Sequence, residues 1–303
     1  MSRRDDTKET AVEVKGWFGA HKWLIARRLA QFGFLMLFLS GPLFGFWITK
    51  GTLASSRTFD VLDLTDPFIA LQSLAAGHLP EMTALVGVGI VVAAYLLVGG
   101  RVYCSWVCPI NPLTDAIAWA RDKLGMDKGW QPPKSTRLWL VGGALLASVV
   151  SGTVAWEWIN PVTVLHRGLV FGTLVTGLGG LLVLAVMAFD FGVSKHGWCG
   201  HVCPVGAFYG LIGRVAVLRV SAARRAACDD CMDCFRVCPE PQVITPALKS
   251  AAPASPVILA ADCTNCGRYI DVCAKNVFRF THRSDRREDA GDAAGETDIR
   301  KVA

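Results

Sequence analysis

No Cys-x-x-Cys-His motif occurs in the 303 residues, so the chain carries no covalently attached haem of the c type. Charge is scarce: charged residues make up 18% of the chain and hydrophobic ones 52%, too apolar for an ordinary soluble protein of this length. None of the apolar stretches has the short core and small-residue cleavage site of a signal peptide, and nothing is expected to be cleaved. The net charge of +6 calls for no nucleic-acid partner, because the basic residues flank apolar blocks and read as a membrane-facing rim. Eleven cysteines are an odd number, and a disulfide scaffold is not expected.

What is present is, first, the run Cys228, Cys231, Cys234 and Cys238-Pro239. Four thiols within eleven residues suit neither the separated pairs of zinc sites nor a disulfide framework. They match the spacing with which a bacterial ferredoxin grips one 4Fe-4S cubane and passes its last thiolate to a second. Another array follows at Cys263, Cys266 and Cys273. By that crossing rule Cys228, Cys231, Cys234 and Cys273 hold cluster one, and Cys238, Cys263 and Cys266 hold cluster two. The fourth ligand of cluster two falls at Tyr269, a phenol where iron normally takes a soft thiolate. That site reads as a 3Fe-4S cluster, a 4Fe-4S cluster with a water or phenolate corner, or a cluster that is unstable or lost.

Residues 29–48, 83–100, 138–158 and 169–189 are each apolar over about the length that crosses a bilayer of ~30 Å. The expected fold is an α-helical membrane protein with four transmembrane helices and a small C-terminal α+β two-cluster ferredoxin-like module. The head before the first span carries seven Lys and Arg and the loop from Arg101 to Arg137 six, against two in 49–82 and one in 157–168. Cationic segments resist translocation, so both termini and the clusters are expected on the cytoplasmic side. The expected organisation is a basic head (1–28), a membrane domain (29–205), an amphipathic connector (206–223), the module (224–280) and a disordered tail (281–303).

Two halves of the membrane region echo each other. Asp66-Pro67-Phe68-Ile69-Ala70-Leu71 answers Asn160-Pro161-Val162-Thr163-Val164-Leu165, and Tyr103-Cys104-Ser105-Trp106-Val107-Cys108-Pro109 answers Trp198-Cys199-Gly200-His201-Val202-Cys203-Pro204. Parallel repeats of this kind often place cofactors at their interface. Cys104 and Cys108, like Cys199 and Cys203, are four apart, on one face if the segment is helical, and the following proline favours a helix start or break. Three readings stay open: four thiolates gathered on one metal or cluster, thiol-disulfide exchange, or inert buried cysteines.

Taken with Leu39-Ser40-Gly41-Pro42, Leu64-Thr65-Asp66-Pro67, Gly77-His78-Leu79-Pro80, Glu157-Trp158-Ile159-Asn160-Pro161 and Cys231-Met232-Asp233-Cys234, these motifs make the chain resemble the NapH family up to about Phe280. That family is the ferredoxin-type membrane component of the periplasmic nitrate reductase system. The resemblance implies a multi-pass inner-membrane electron-transfer subunit of a quinol dehydrogenase. It would draw electrons from membrane quinol with a NapG-type iron-sulphur partner and send them toward periplasmic nitrate reductase. The alternatives are a membrane ferredoxin that supplies electrons for maturing another redox enzyme, as in methylamine-utilisation or oxidase-assembly relatives, and a non-catalytic anchor. Quinol oxidation releases protons, for which Asp66, His78 and Glu157 are the candidate acceptors, with Glu81 and His166 behind them; each also reads as a solvated loop residue or a cap. Inner clusters and an outer acceptor leave the crossing to the quinone pool or to the Cys-x3-Cys-Pro centre, or give the clusters a sensing role.

Overall fold

A computed structural model describes residues 10–126, 129–173, 177–249, 255–285 and 287–288, and the expected disordered tail lies outside the described residues from 289 onward. The chain divides into two compact units, Met1–Ala26 with Val217–Ala303, and Arg27–Ala216. Helix α1 (Ala11–Phe44) contributes to both, with a break at Gly16, whose φ of 70° is left-handed.

In the larger unit a small antiparallel sheet of β1 (Thr49–Gly51), β2 (Ser55–Thr58) and β3 (Leu62–Thr65) precedes α2 (Pro67–Ala75), α3 (Met82–Val98) and α4 (Ile110–Lys123). Then come α5 (Thr136–Ser151), α6 (Pro161–Val170), α7 (Leu178–Gly192) and α8 (Pro204–Gly213). The order α5 to α8 repeats α1 to α4. The short helices α2 and α6 start by the same chemistry, a proline in the first turn behind a capping side chain: Asp66 accepts the N–H of Phe68 at 2.7 Å, and Asn160 accepts that of Val162 at 3.1 Å. Across the repeats α4 packs on α7 and α8 on α3, while α8 also packs on α5 of its own repeat. Glycine makes this possible, because a Cβ on Gly100 would stand 1.8 Å from the carbonyl oxygen of Tyr209.

Polarity in this unit runs opposite to that of a water-soluble domain. Leu29, Phe32, Trp139, Val150 and Leu184 face outward, while Arg27, Gln31, Gln72, Arg101 and Arg121 are at most 2% exposed. Among the described residues α1 alone is long and apolar enough to cross a bilayer. α3, α5 and α7, at 17, 16 and 15 residues, span only about 22–26 Å. The expected bounds shift for local reasons. Gly99 (φ 113°) closes α3, left-handed Gly152 (φ 64°) closes α5 well short of 158, and the stretch 169–189 covers the end of α6 and most of α7. The expected amphipathic connector 206–223 is divided. Its first part is α8, with Gly206, Ala207, Tyr209 and Gly210 buried in the larger unit, and its second part includes a strand of the smaller one.

The smaller unit pairs β4 (Leu218–Ser221) antiparallel with β5 (Arg279–His282) and adds the short helices α9 (Asp233–Val237), α10 (Thr245–Leu248) and α11 (Arg268–Val272). Its core joins Val220, Ile244, Ile258, Tyr269 and Phe278 to the cysteines. Lys15, Trp23 and Leu24 of the basic head pack into this unit. The buried Asp271 carboxylate accepts the N–H groups of Trp23 (3.2 Å) and Leu24 (2.9 Å), Lys15 Nζ donates to the carbonyl of Ile270 at 2.7 Å, and the Trp23 ring meets Phe280 edge-on at 4.7 Å. Gly267 sits beneath Trp23 with φ 72°, and a Cβ there would come 2.6 Å from Trp23 Cγ. Gly267→Ala therefore combines backbone strain with overpacking and is expected to destabilise the unit by roughly 2–4 kcal/mol. Hydrogen exchange across residues 20–26 should accelerate, and unchanged protection would contradict this account of the contact.

Candidate metal centres

The two ferredoxin-like arrays share one backbone design. Left-handed residues fall at matching places, Asp230 and Met232 in the first and Asn265 and Gly267 in the second, each pair leading into a five-residue helix. Cys234 and Tyr269 thus occupy equivalent helical positions. The turns aim backbone N–H groups at sulphur: Asp230 at Cys228, Asp233 at Cys231, Phe235 at Cys234, Glu240 at Cys238 and Asn265 at Cys263. Val277 donates to Cys273 Sγ at 3.4 Å.

Cys228, Cys231, Cys234 and Cys273 line one cavity. Burial pushes the Cys234 thiol up to about 12, and the neighbouring Cys228, Cys231 and Cys273 add to the effect. Four thiolates coexist in such a place only around cationic metal, so loading must displace protons. Among the described residues no three His, Cys, Asp or Glu side chains converge as the ligands of a single ion would. Four soft donors ringing a space fit a cubane.

Cys238, Cys263 and Cys266 are buried together beside Tyr269, which is 1% exposed. The Tyr269 hydroxyl lies 3.2 Å from Cys263 Sγ, and its ring packs on Phe278 at 5.0 Å. Three sulphurs and one phenol oxygen are thus brought to one place.

In the larger unit each Cys-x3-Cys-Pro motif forms a single π-turn rather than the α-turn its spacing suggests. The N–H of Cys108 reaches the carbonyl of Tyr103 at 2.9 Å, and that of Cys203 the carbonyl of Trp198 at 2.8 Å. The physical reason is the proline that follows, which forces each second cysteine into extended backbone, with ψ 120° and 114°. New helices start at once, so Ile110 and Asn111 present N–H groups to Cys108 Sγ, and Val205 and Gly206 to Cys203 Sγ. All four cysteines line one cavity with Tyr103, Asn160 and Trp198. Two cations that sequence reasoning missed lie buried against the second turn: Arg101 Nη2 donates to the carbonyl of Cys199 at 3.0 Å and Arg137 Nη1 to that of Gly200 at 3.2 Å. Arg101, two residues before the Tyr-Cys start of the motif, was the available signal.

Asp66 and Glu157 line a further cavity of about 270 Å³ with Trp156 and Asn160. Asp66 accepts the Tyr209 hydroxyl at 2.7 Å besides capping α2. Glu157 accepts Asn160 Nδ2 and Thr163 Oγ1, both at 2.7 Å. His78 stands apart, exposed, with Nε2 3.0 Å from the Gly152 carbonyl. Glu81 precedes α3 without a side-chain cap bond, and His166 is buried edge-on to Phe38 at 5.5 Å. An apolar cleft of about 1260 Å³, unforeseen from sequence, is lined by Phe32, Leu35, Pro109, Leu113, Leu165 and Leu184, with Gln31 as its polar member.

A family model described as a 4Fe-4S binding domain matches residues 81–127 and 173–222, the two segments that carry the π-turns. The chain is 48% identical over 283 residues to the ferredoxin-type protein NapH of Escherichia coli (strain K12), covering 93% of this chain and 97% of that protein. It is 51% identical over 272 residues to the methylamine utilization ferredoxin-type protein MauN of Methylorubrum extorquens, covering 90% and 93%. With MauN of Paracoccus denitrificans identity is 50% over 277 residues, covering 91% and 96%. No solved structure matches the chain.

Proposed function

The chain belongs to the NapH and MauN family of ferredoxin-type 4Fe-4S electron-transfer proteins, and from that membership we propose that it is the membrane iron-sulphur subunit of a quinol-oxidising complex. The observation that carries this reading is the single cavity ringed by Cys228, Cys231, Cys234 and Cys273. A cubane bound there supplies reversible one-electron chemistry. The chain itself contributes four sulphurs, the backbone N–H groups that favour their anionic form, and a packed wall of Leu248, Val277 and Phe278. Cys238, Cys263, Cys266 and Tyr269 form the second site of the module.

Large apolar side chains on the outer faces of α1, α3, α5 and α7 support four membrane helices, and the excess of Lys and Arg in 1–28 and 101–137 supports cytoplasmic termini and arrays. The apolar cleft beside Pro109 suits an isoprenoid quinol, with Gln31 offering a polar contact. Asp66 and Glu157, in one cavity, are the proton acceptors the geometry favours, whereas His78 lies outside it. A NapG-type partner and periplasmic nitrate reductase complete this reading.

The similarity to MauN proteins, at 50% and 51%, favours a second one: a membrane ferredoxin that supplies electrons for methylamine utilisation. Purified anaerobically with a NapG-type partner, the protein should lose cluster absorption on addition of reduced quinol; a spectrum that never responds overturns the first reading. Deletion separates the two, because loss of nitrate reduction is expected from the first and a failed methylamine-dependent step from the second.

A further inference from the structure

We propose that Cys104, Cys108, Cys199 and Cys203 together hold one iron-sulphur cluster where the two repeats of the larger unit meet, a centre additional to the C-terminal arrays. This deepens the electron-transfer reading and rests on it.

Three observations carry the assignment. First, the sulphurs come from both repeats into one cavity. Cys199 Sγ of the second repeat lies 3.9 Å from Thr114 Oγ1 of the first, and Cys104 Sγ of the first lies 3.6 Å from where a Cβ on Gly206 of the second would stand. The second observation is the doubled local design. Each π-turn ends at an extended cysteine at the start of a helix of 14 or 10 residues, so two backbone N–H groups point at Cys108 Sγ and two at Cys203 Sγ. Amides at a helix start favour anionic sulphur. Third, positive charge is buried where an anionic centre needs it, with the Arg101 and Arg137 guanidiniums hydrogen-bonded to the carbonyls of Cys199 and Gly200.

The rival readings fit less well. A lone zinc ion needs its ligands converged on one point, and no such group occurs among the described residues. Disulfide exchange leaves unexplained the backbone N–H groups aimed at Cys108 Sγ and Cys203 Sγ. Inert cysteines would account for the apolar packing around Ile110, Val162 and Val205, but not for paired N–H groups aimed at both Cys108 and Cys203. A 2Fe-2S rhomb takes two thiolates on each iron and a 4Fe-4S cubane one, so four cysteines satisfy either.

The test uses the full-length chain in detergent under anaerobic conditions, with the seven array cysteines changed to Ser. This variant should retain about two iron atoms and two sulphides for a rhomb, or about four of each for a cubane, with Mössbauer spectra telling them apart. Adding Cys104→Ser and Cys199→Ser should remove them. A seven-Ser variant without iron, iron without sulphide, or iron indifferent to the added pair overturns the proposal. If the seven-Ser variant does not fold, Cys104→Ser with Cys199→Ser in the parent chain decides. The array signal then reports folding, and total iron must fall by the same two or four atoms; unchanged iron overturns the proposal. Failure here with array iron intact leaves the proposed function standing, whereas a parent chain devoid of iron removes both.

Discussion

Cys234→Ala is expected to empty the first array, lowering iron by about four atoms per chain and erasing its paramagnetic signal on reduction. Cys234 is the decisive member of its set because of burial. At 9% exposure it sits deeper than Cys228, Cys231 and Cys273, where water or hydroxide can take over a vacated iron corner. Alanine at a sealed position offers no donor and admits no substitute. The three sulphurs left behind line the same cavity without the fourth donor that a cubane takes. Cluster binding and folding are coupled, so thermal stability should drop along with iron content. Iron and sulphide analysis with electron paramagnetic resonance on the anaerobic protein checks this, and a variant with its full iron complement would refute the ligand assignment.

Tyr269→Cys is expected to add one iron atom per chain at the second array and to replace a three-iron signal by that of a complete cubane. Tyr269 stands where the equivalent helix of the first array carries Cys234, and its hydroxyl already lies 3.2 Å from Cys263 Sγ. Two energies compete. Removing a buried aromatic ring packed on Phe278 costs about 3–5 kcal/mol if the space stays empty. A fourth iron held by the new thiolate offsets that loss when the cluster assembles. The variant should therefore be less stable than the parent before reconstitution with iron and sulphide, and recover afterwards. Iron content that does not rise after reconstitution would overturn the three-iron reading: four atoms already present mean a cubane with a water or phenolate corner, and none means that Tyr269 serves only as core.

Much of the candidate chemistry was legible because it is written over short distances. The Cys-x-x-Cys turns need only a few neighbouring residues in the left-handed region, and the Asp66 and Asn160 caps act on the next two or three amides. The motif spacing of four misled, since proline at the next position acts through the backbone of the second cysteine and widens the turn by one residue. The spans misled at their ends for a similar reason. Hydropathy continues past Gly152 although the backbone does not, because a glycine in the left-handed region stops a helix whatever the polarity around it. The head read as a charged, separate segment, yet Trp23 and Leu24 bond to Asp271 almost 250 residues later.

The sequence alone determined the cysteine spacing, the internal repeat and the apolar character of the larger unit, because each depends on residue identity and near-neighbour spacing. Tertiary structure alone decided that four cysteines from two distant motifs share a cavity, that Arg101 and Arg137 lie beside them, and that Asp66 and Glu157 come together while His78 does not. Such meetings follow from the packing of α4 on α7 and of α8 on α3 across the repeats, and packing of that kind is set by the summed burial of whole faces rather than by any local code.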